Sequence, residues 1–190
     1  WQNNTGAGNR SVVVWWYMNN ALSAFNFIGG GFENVSQSNV STVGWGQHNH
    51  ALWFGSTIIW WAYNSGTNNY SFVWWWWFNQ VTWADAGICG GYNNRAWWGG
   101  SLVGWWEVNT TNGLYSFIGW WIYNIASADY SSIAWWWSNN AAGTYSFVGG
   151  WGANTWAGNY SFIGGWQGNI ASNTYAIVVW GSGNISNNTW

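Results

Sequence analysis

The chain has almost no charge, no proline and a single cysteine. Two basic and four acidic residues stand among 190, for a formal net charge of −2. Nucleic-acid binding requires clustered Lys and Arg, and Arg10 and Arg95 alone cannot supply such a cluster. Cys89, as the single cysteine, excludes an internal disulfide framework. No apolar run reaches the roughly 20 residues that span a bilayer, so we expect no direct membrane insertion in this segment.

The sequence is instead rich in one repeat of 15 residues. With Arg10 as position 1, twelve copies fill residues 10–189 without insertion or deletion, and partial copies stand at both ends. Regular self-similarity of this kind indicates one repeat domain over residues 1–190. Position 10 is always asparagine: Asn4, Asn19, Asn34, Asn49, Asn64, Asn79, Asn94, Asn109, Asn124, Asn139, Asn154, Asn169 and Asn184. Position 4 is always valine or isoleucine: Val13, Ile28, Val43, Ile58, Val73, Ile88, Val103, Ile118, Ile133, Val148, Ile163 and Val178.

Fifteen residues are too few for a helix–turn–helix repeat, but they suffice for two short strands and two turns. Positions 1–5 are rich in Tyr, Phe, Val and Ile, which favour strands, and positions 8–12 form a second strand. Positions 5–7 are rich in glycine, and positions 13–15 hold Asn, Gly, Ser and Thr, which is typical of turns. The pattern predicts an all-β fold, a parallel β-solenoid with one copy per coil and about 4.8 Å between coils.

Alternation of side chains along a strand assigns the inside and the outside of the coil. We place positions 2, 4, 10 and 12 inside, which gives a narrow core of Ser, Ile or Val, Asn and small residues. Position 10 is predicted to form an asparagine ladder, with each amide bonded to the copies above and below, because a buried amide without partners is costly. Position 3 points outward but is often apolar, as in Phe117 and Phe162. Such a continuous stripe favours cover by another chain.

The copies YSFVGGWGANTWAGN (Tyr145–Asn159) and YSFIGGWQGNIASNT (Tyr160–Thr174) resemble the head repeats of trimeric autotransporter adhesins, the YadA-like head family. The resemblance rests on Ser, then Ile before Gly, then Ala and Gly at short spacing, and it covers essentially the whole chain. It implies a left-handed β-roll and a side-by-side homotrimer. It also implies a place at the cell surface, as a piece of a longer fibre anchored in the outer membrane through segments not present here. Its partner would be a host or environmental surface, protein or glycan.

Positions 6 and 7 alternate between the largest and the smallest residue. Of the 25 residues in these columns, 17 are Trp and eight are Gly, and no other type occurs. Packing does not explain this pattern, because Ala or Val should fit between the extremes. Some bacteria read the codon UGA as glycine, whereas a commonly used alternative code reads it as tryptophan. Two hypotheses remain: Trp120, Trp121, Trp135, Trp136 and their equivalents are UGA-encoded glycines, or real Trp stacks bind sugars or hydrophobic surfaces through their ring faces.

No group of residues predicts catalysis, a metal or a cofactor. His48 and His50 flank Asn49 and should point outward together, but no third metal ligand stands near them. The acidic residues lie in different columns at least one coil apart, so no general acid–base pair is evident. They are Glu33, Asp85, Glu107 and Asp129. We therefore expect a protein that is not an enzyme.

The sequence predicts an adhesive and structural module that binds through the outward columns at positions 9 and 11. A constant inside and a variable outside are what a binding scaffold needs. Two alternatives stay open. A phage or surface β-helix tail-spike acting on glycans requires Asp or Glu clustered on adjacent coils. An ice- or surface-binding solenoid requires a regular Thr row, of which position 3 offers Thr42 and Thr57.

Overall fold

A computed structural model describes residues 3–156 and 158–187. Within these ranges the chain is all-β and has no helix, so no helix that could cross a membrane is found there either. Contacts between Cα atoms divide the chain into two compact units, residues 1–94 and 95–190. Each unit is a parallel β-solenoid with 15-residue coils and two short strands per coil, which confirms the predicted fold class.

The strands, numbered β1 to β25 along the chain, are two residues long and fall at the same repeat positions in every coil. In the first unit, positions 11 and 12 form β1 (Thr5–Gly6), β3 (Asn20–Ala21), β5 (Val35–Ser36), β7 (His50–Ala51), β9 (Ser65–Gly66) and β11 (Gln80–Val81). Positions 3 and 4 form β2 (Val12–Val13), β4 (Phe27–Ile28), β6 (Thr42–Val43), β8 (Thr57–Ile58), β10 (Phe72–Val73) and β12 (Gly87–Ile88).

The second unit repeats this arrangement. Positions 11 and 12 form β13 (Arg95–Ala96), β15 (Thr110–Thr111), β17 (Ile125–Ala126), β19 (Asn140–Ala141), β21 (Thr155–Trp156), β23 (Ile170–Ala171) and β25 (Ile185–Ser186). Positions 3 and 4 form β14 (Leu102–Val103), β16 (Phe117–Ile118), β18 (Ser132–Ile133), β20 (Phe147–Val148), β22 (Phe162–Ile163) and β24 (Ile177–Val178). Within each unit a residue pairs with the one 15 positions further on, as Phe147 does with Phe162.

Two left-handed corners make the strands shorter than the sequence predicts. The backbone angle φ lies between 52° and 66° at position 1 of the coils and between 52° and 68° at position 9. Strand geometry requires a negative φ, so a residue at either corner cannot belong to a strand. The predicted strands at positions 1–5 and 8–12 therefore shrink to positions 3–4 and 11–12.

The buried side chains of the coil stand at positions 2, 4, 10 and 12, the four positions that strand alternation predicts. The aliphatic side chains of position 4 are completely buried from Ile28 to Ile163, and the small residues of position 12, such as Ala51 and Ala126, face them. Most serines of position 2 are buried too. The buried hydroxyl of Ser71 has no hydrogen-bond partner, whereas several others donate to the carbonyl three residues earlier, as Ser116 does to Gly113 at 2.7 Å. That bond closes the turn at positions 13–15, so the buried hydroxyl has the partner it needs.

Candidate functional site

The asparagines of position 10 form a ladder inside each unit. From Asn19 to Asn169 their exposure is 0 to 1%, whereas Asn4 and Asn184 are not buried. From Asn4 to Asn79 and from Asn109 to Asn169, the Oδ1 atom accepts a hydrogen bond from the backbone N–H of the asparagine one coil further on. The distance is 3.1 Å from Asn34 N to Asn19 Oδ1 and 3.0 Å from Asn139 N to Asn124 Oδ1. The side-chain oxygen thus has a partner in the next coil, which removes the cost of its burial.

The amide nitrogen of the same asparagine closes the turn at positions 6 and 7. Asn34 Nδ2 donates to Gly30 O of its own coil at 3.0 Å and to Gly46 O of the next coil at 2.7 Å. It also lies 3.0 Å from Asn19 Oδ1. The expected bonding of amide to amide is therefore one part of the arrangement, and backbone groups supply most of the partners. Only a short side chain with one acceptor and two donors can make this set of bonds, so asparagine is required.

The tryptophan columns lie on the outside of the coil. Among the tryptophans whose side chains the structure describes none is buried, and most are more than a third exposed. In the second unit, five tryptophans of position 7 form one stack with ring centroids 4.8 to 5.6 Å apart. They are Trp106, Trp121, Trp136, Trp151 and Trp166. In the first unit, Trp16, Trp45, Trp60 and Trp61 line part of an open groove of about 440 Å³.

A tyrosine ladder occupies position 1 of the second unit. The repeat pattern identifies these tyrosines only as residues that favour strands. Its members are Tyr115, Tyr130, Tyr145, Tyr160 and Tyr175, and their ring centroids lie 4.6 to 5.4 Å apart. All five rings are exposed. Stacking of aromatic rings stabilises such a row and offsets the cost of their left-handed φ. The ladder leaves one phenol hydroxyl per coil in contact with solvent. Five tyrosines at 15-residue spacing were the sequence signal for it.

The columns at positions 9 and 11 point outward and change from coil to coil. None of their described residues is buried. In the first unit, position 11 holds Thr5, Asn20, Val35, His50, Ser65 and Gln80. In the second unit it holds Arg95, Thr110, Ile125, Asn140, Thr155, Ile170 and Ile185. Each coil therefore presents a different side chain at a fixed backbone position, which is the property of a binding surface.

A histidine and a carboxylate lie close together in the first unit. The Nδ1 atom of His48 lies 2.9 Å from Oε2 of Glu33, across adjacent coils. Among the described residues, no three His, Cys, Asp or Glu side chains are close enough to hold a metal ion. Asp129 has a structural bond, since its Oδ1 accepts from the backbone N–H of Leu114 at 2.9 Å. Burial raises the pKa of the Cys89 thiol, which disfavours the reactive thiolate.

We expect His50 to titrate below its ordinary pKa. Burial first, and then the nearby charge of His48, lower the pKa of His50 from 6.5. The unfolded chain therefore binds this proton more readily, so the contribution of His50 to stability falls as the pH decreases from about 6.5 toward the lowered value. An NMR titration of the imidazole signals measures the midpoint, and His48→Asn should raise it by removing the charge. A midpoint at or above 6.5 would contradict this account.

Comparison of the chain with protein families and with curated proteins finds no match.

Proposed function

We propose that the chain is a non-enzymatic adhesive scaffold, the head or structural module of a cell-surface fibre. The observation that carries the proposal is the contrast between interior and exterior. The interior repeats the same asparagine and aliphatic rows, whereas the residues at positions 9 and 11 differ from coil to coil. A constant frame with variable outward side chains serves recognition of an extended partner, in the way that solenoids present elongated surfaces.

The chemistry of the outward columns favours a protein or glycan surface as partner. Position 11 offers Thr110 and Thr155 for hydrogen bonds and exposed aliphatic side chains at Ile125 and Ile170. The low charge of the chain gives little electrostatic attraction, so affinity has to come from many short-range contacts. Such a partner spans several coils, and the gain per coil adds up along the surface.

An outward apolar stripe supports a side-by-side homotrimer. Phe147 and Phe162 at position 3 stack with ring centroids 5.6 Å apart, and both rings are more than a third exposed. Leu102, Phe117 and Ile177 are exposed in the same column. Contiguous apolar surface of this kind is typical of an interface between chains. We place the assembled fibre at the cell surface.

Adhesion of the purified chain tests the proposal directly. Beads coated with the chain are applied to a glycan array, to a film of serum proteins and to bare glass, and retention under flow is measured. We expect retention on at least one surface, and the triple variant Ile125→Ser, Ile170→Ser, Ile185→Ser should reduce affinity about tenfold, since burial of exposed aliphatic groups contributes to binding.

A matched control changes three outward residues of another column, Tyr115→Phe, Tyr130→Phe and Tyr145→Phe, and should keep the affinity. Light scattering on the same preparation measures the oligomeric state, for which we expect the mass of three chains. Beads that bind nothing would contradict the adhesive function. Cleavage of an arrayed glycan would favour the tail-spike alternative. The mass of one chain would contradict the trimer.

A further inference from the structure

We propose that most tryptophans of the turn columns, defined as positions 6 and 7 of the coils, are encoded by UGA codons that the native host decodes as glycine. The native chain would then carry glycine at these positions. This inference concerns the covalent structure of the protein and does not depend on the proposed adhesive function. Three observations on the described residues carry it: the backbone conformation, the room for a side chain, and the exposure of the indole rings.

In most coils the backbone at position 7 has a positive φ, which glycine favours; Trp151 and Trp166 are the exceptions among the described residues. The glycines of this column, Gly31, Gly46, Gly91 and Gly181, have φ between 89° and 136°. These values lie beyond the narrow left-handed region that other residues visit. Six tryptophans of the same column, Trp16, Trp61, Trp76, Trp106, Trp121 and Trp136, also have a positive φ, between 66° and 77°. A column in left-handed conformation selects for glycine and against a bulky aromatic residue.

At Gly31, Gly46 and Gly150 the turn has no space for any side chain. A Cβ atom added to Gly31 would lie 1.8 Å from Gly46 O and 2.9 Å from Asn34 Nδ2. A Cβ atom added to Gly150 would lie 1.8 Å from Gly165 O and 2.9 Å from Asn154 Nδ2. The glycine copies thus bring the next coil and the asparagine ladder into contact with the bare Cα. At these glycines the slot excludes alanine and valine as well as tryptophan, so size alone does not explain why other coils have Trp in the same columns.

Some glycines of two other columns also leave no room for a Cβ atom, although these columns hold further residue types, such as Ile59 and Ser23. A Cβ atom on Gly8 at position 14 would lie 2.0 Å from Ser23 O, and one on Gly29 at position 5 would lie 2.1 Å from Gly44 O. Both columns contain tryptophan in other coils, at Trp53 and at Trp74. Position 3 has room for exposed aromatic rings, yet it contains phenylalanine and never tryptophan. Every tryptophan except Trp97 therefore stands in a column that also contains glycine, whereas position 3, the column richest in phenylalanine, contains no tryptophan.

The indole rings contribute nothing to the core. The buried side chains are aliphatic residues, alanines, serines, threonine and asparagines, whereas none of the described tryptophans is buried. Tryptophan is ordinarily among the residues that folding removes most from water. A continuous exposed indole surface is a liability for aggregation unless a partner covers it. Replacement of these rings by glycine would leave every core contact between coils in place.

A change of codon meaning explains the alternation itself. UGA differs from the glycine codon GGA in one base. In a host that reads both as glycine, a glycine column drifts between the two codons without any change in the protein. The same gene read with UGA as tryptophan then shows glycine or tryptophan and nothing between them. This is the pattern of the turn columns, in which 17 of 25 residues are Trp and eight are Gly.

Mass spectrometry of the native protein, together with the nucleotide sequence of its gene, tests the inference. We expect UGA at the tryptophan positions of the turn columns, and peptides covering Trp120, Trp121, Trp135 and Trp136 with the mass of glycine at each. UGG codons at these positions, or peptides with the mass of tryptophan at Trp120 and Trp121, would overturn it.

Recombinant chains give a second, independent readout. One chain carries tryptophan throughout, encoded by UGG, and the other carries Trp→Gly at every tryptophan of the turn columns. We expect the glycine chain to have the higher melting temperature and the higher soluble yield. At a single site, Trp121→Gly should melt above Trp121→Ala, because alanine removes the indole but keeps a Cβ in left-handed backbone. A higher melting temperature for the tryptophan chain would contradict the inference and favour real, functional Trp stacks.

Discussion

Replacing Asn139 with leucine is expected to lower the free energy of unfolding by about 3 to 6 kcal/mol. Several buried polar groups lose a hydrogen-bond partner, and each loss costs about 1 to 3 kcal/mol. The backbone N–H of Asn154 donates to Asn139 Oδ1 at 3.1 Å. Asn139 Nδ2 donates to Trp135 O at 2.9 Å and to Trp151 O at 3.1 Å. Leucine has similar volume and restores none of these bonds. The variant therefore measures the ladder itself rather than a cavity.

Urea unfolding followed by circular dichroism measures the loss, and the adjacent residue provides the control. Asn140 is half-buried at position 11, and its Oδ1 atom is buried without a hydrogen-bond partner. We expect Asn140→Ala to change stability by less than about 0.5 kcal/mol, because the substitution breaks no hydrogen bond of this oxygen. Equal losses for the two variants would show that the asparagines of position 10 do not stabilise the coil through their amide groups.

Replacing Gly31 with alanine is expected to lower the free energy of unfolding by about 2 to 4 kcal/mol, from backbone strain together with steric overlap. Its φ is 101°, and an added Cβ would approach Gly46 O to 1.8 Å. The Gly46 O atom belongs to backbone that the ladder holds in place, because Asn34 Nδ2 donates to it at 2.7 Å. The coil must therefore move away from its neighbour, and the bonds of that turn weaken with it.

Gly168 is the matched control for this variant. It also has a left-handed φ, of 65°, but no atom lies within 4 Å of its added Cβ. Gly168→Ala should cost only the left-handed preference, about 1 kcal/mol. Thermal unfolding of both variants separates steric overlap from conformational preference. If the two losses are the same, the close approach of coils at position 7 is not what requires glycine.

The fold was predictable because the repeat is strict. Asparagine at every position 10 and a branched aliphatic residue at every position 4 are enough to determine the coil length and the two inward rows. The strand boundaries were not predictable in the same way. Tyr115 and His48 stand at left-handed corners although neither is a typical turn residue, so local preference gives no warning. The stacking of coils imposes these corners, and only the three-dimensional structure reveals them.

The sequence also did not predict which backbone groups form hydrogen bonds with the asparagine ladder. Alternation places Asn34 inside, but it does not say in which direction the carbonyls of Gly30 and Gly46 point. That direction depends on the φ of a turn whose conformation the residue types leave open. The outward direction of positions 9 and 11 was easier to predict, since it follows from the alternation of side chains along a strand. The tyrosine ladder could have been found from spacing, because Tyr115 and Tyr130 stand one coil apart at the same repeat position.

The pairing of residues 15 apart, seen in both units, has a kinetic consequence. Each new coil closes a loop of only that length, so the entropic cost of adding one stays small and the same at every step. We expect folding to begin at any coil and to proceed by adding neighbouring coils one at a time. Because the contacts are local in sequence, we expect this process to be fast. Each coil contacts only its two neighbours, so we expect a destabilising substitution in one coil to affect those neighbours and no coil beyond them.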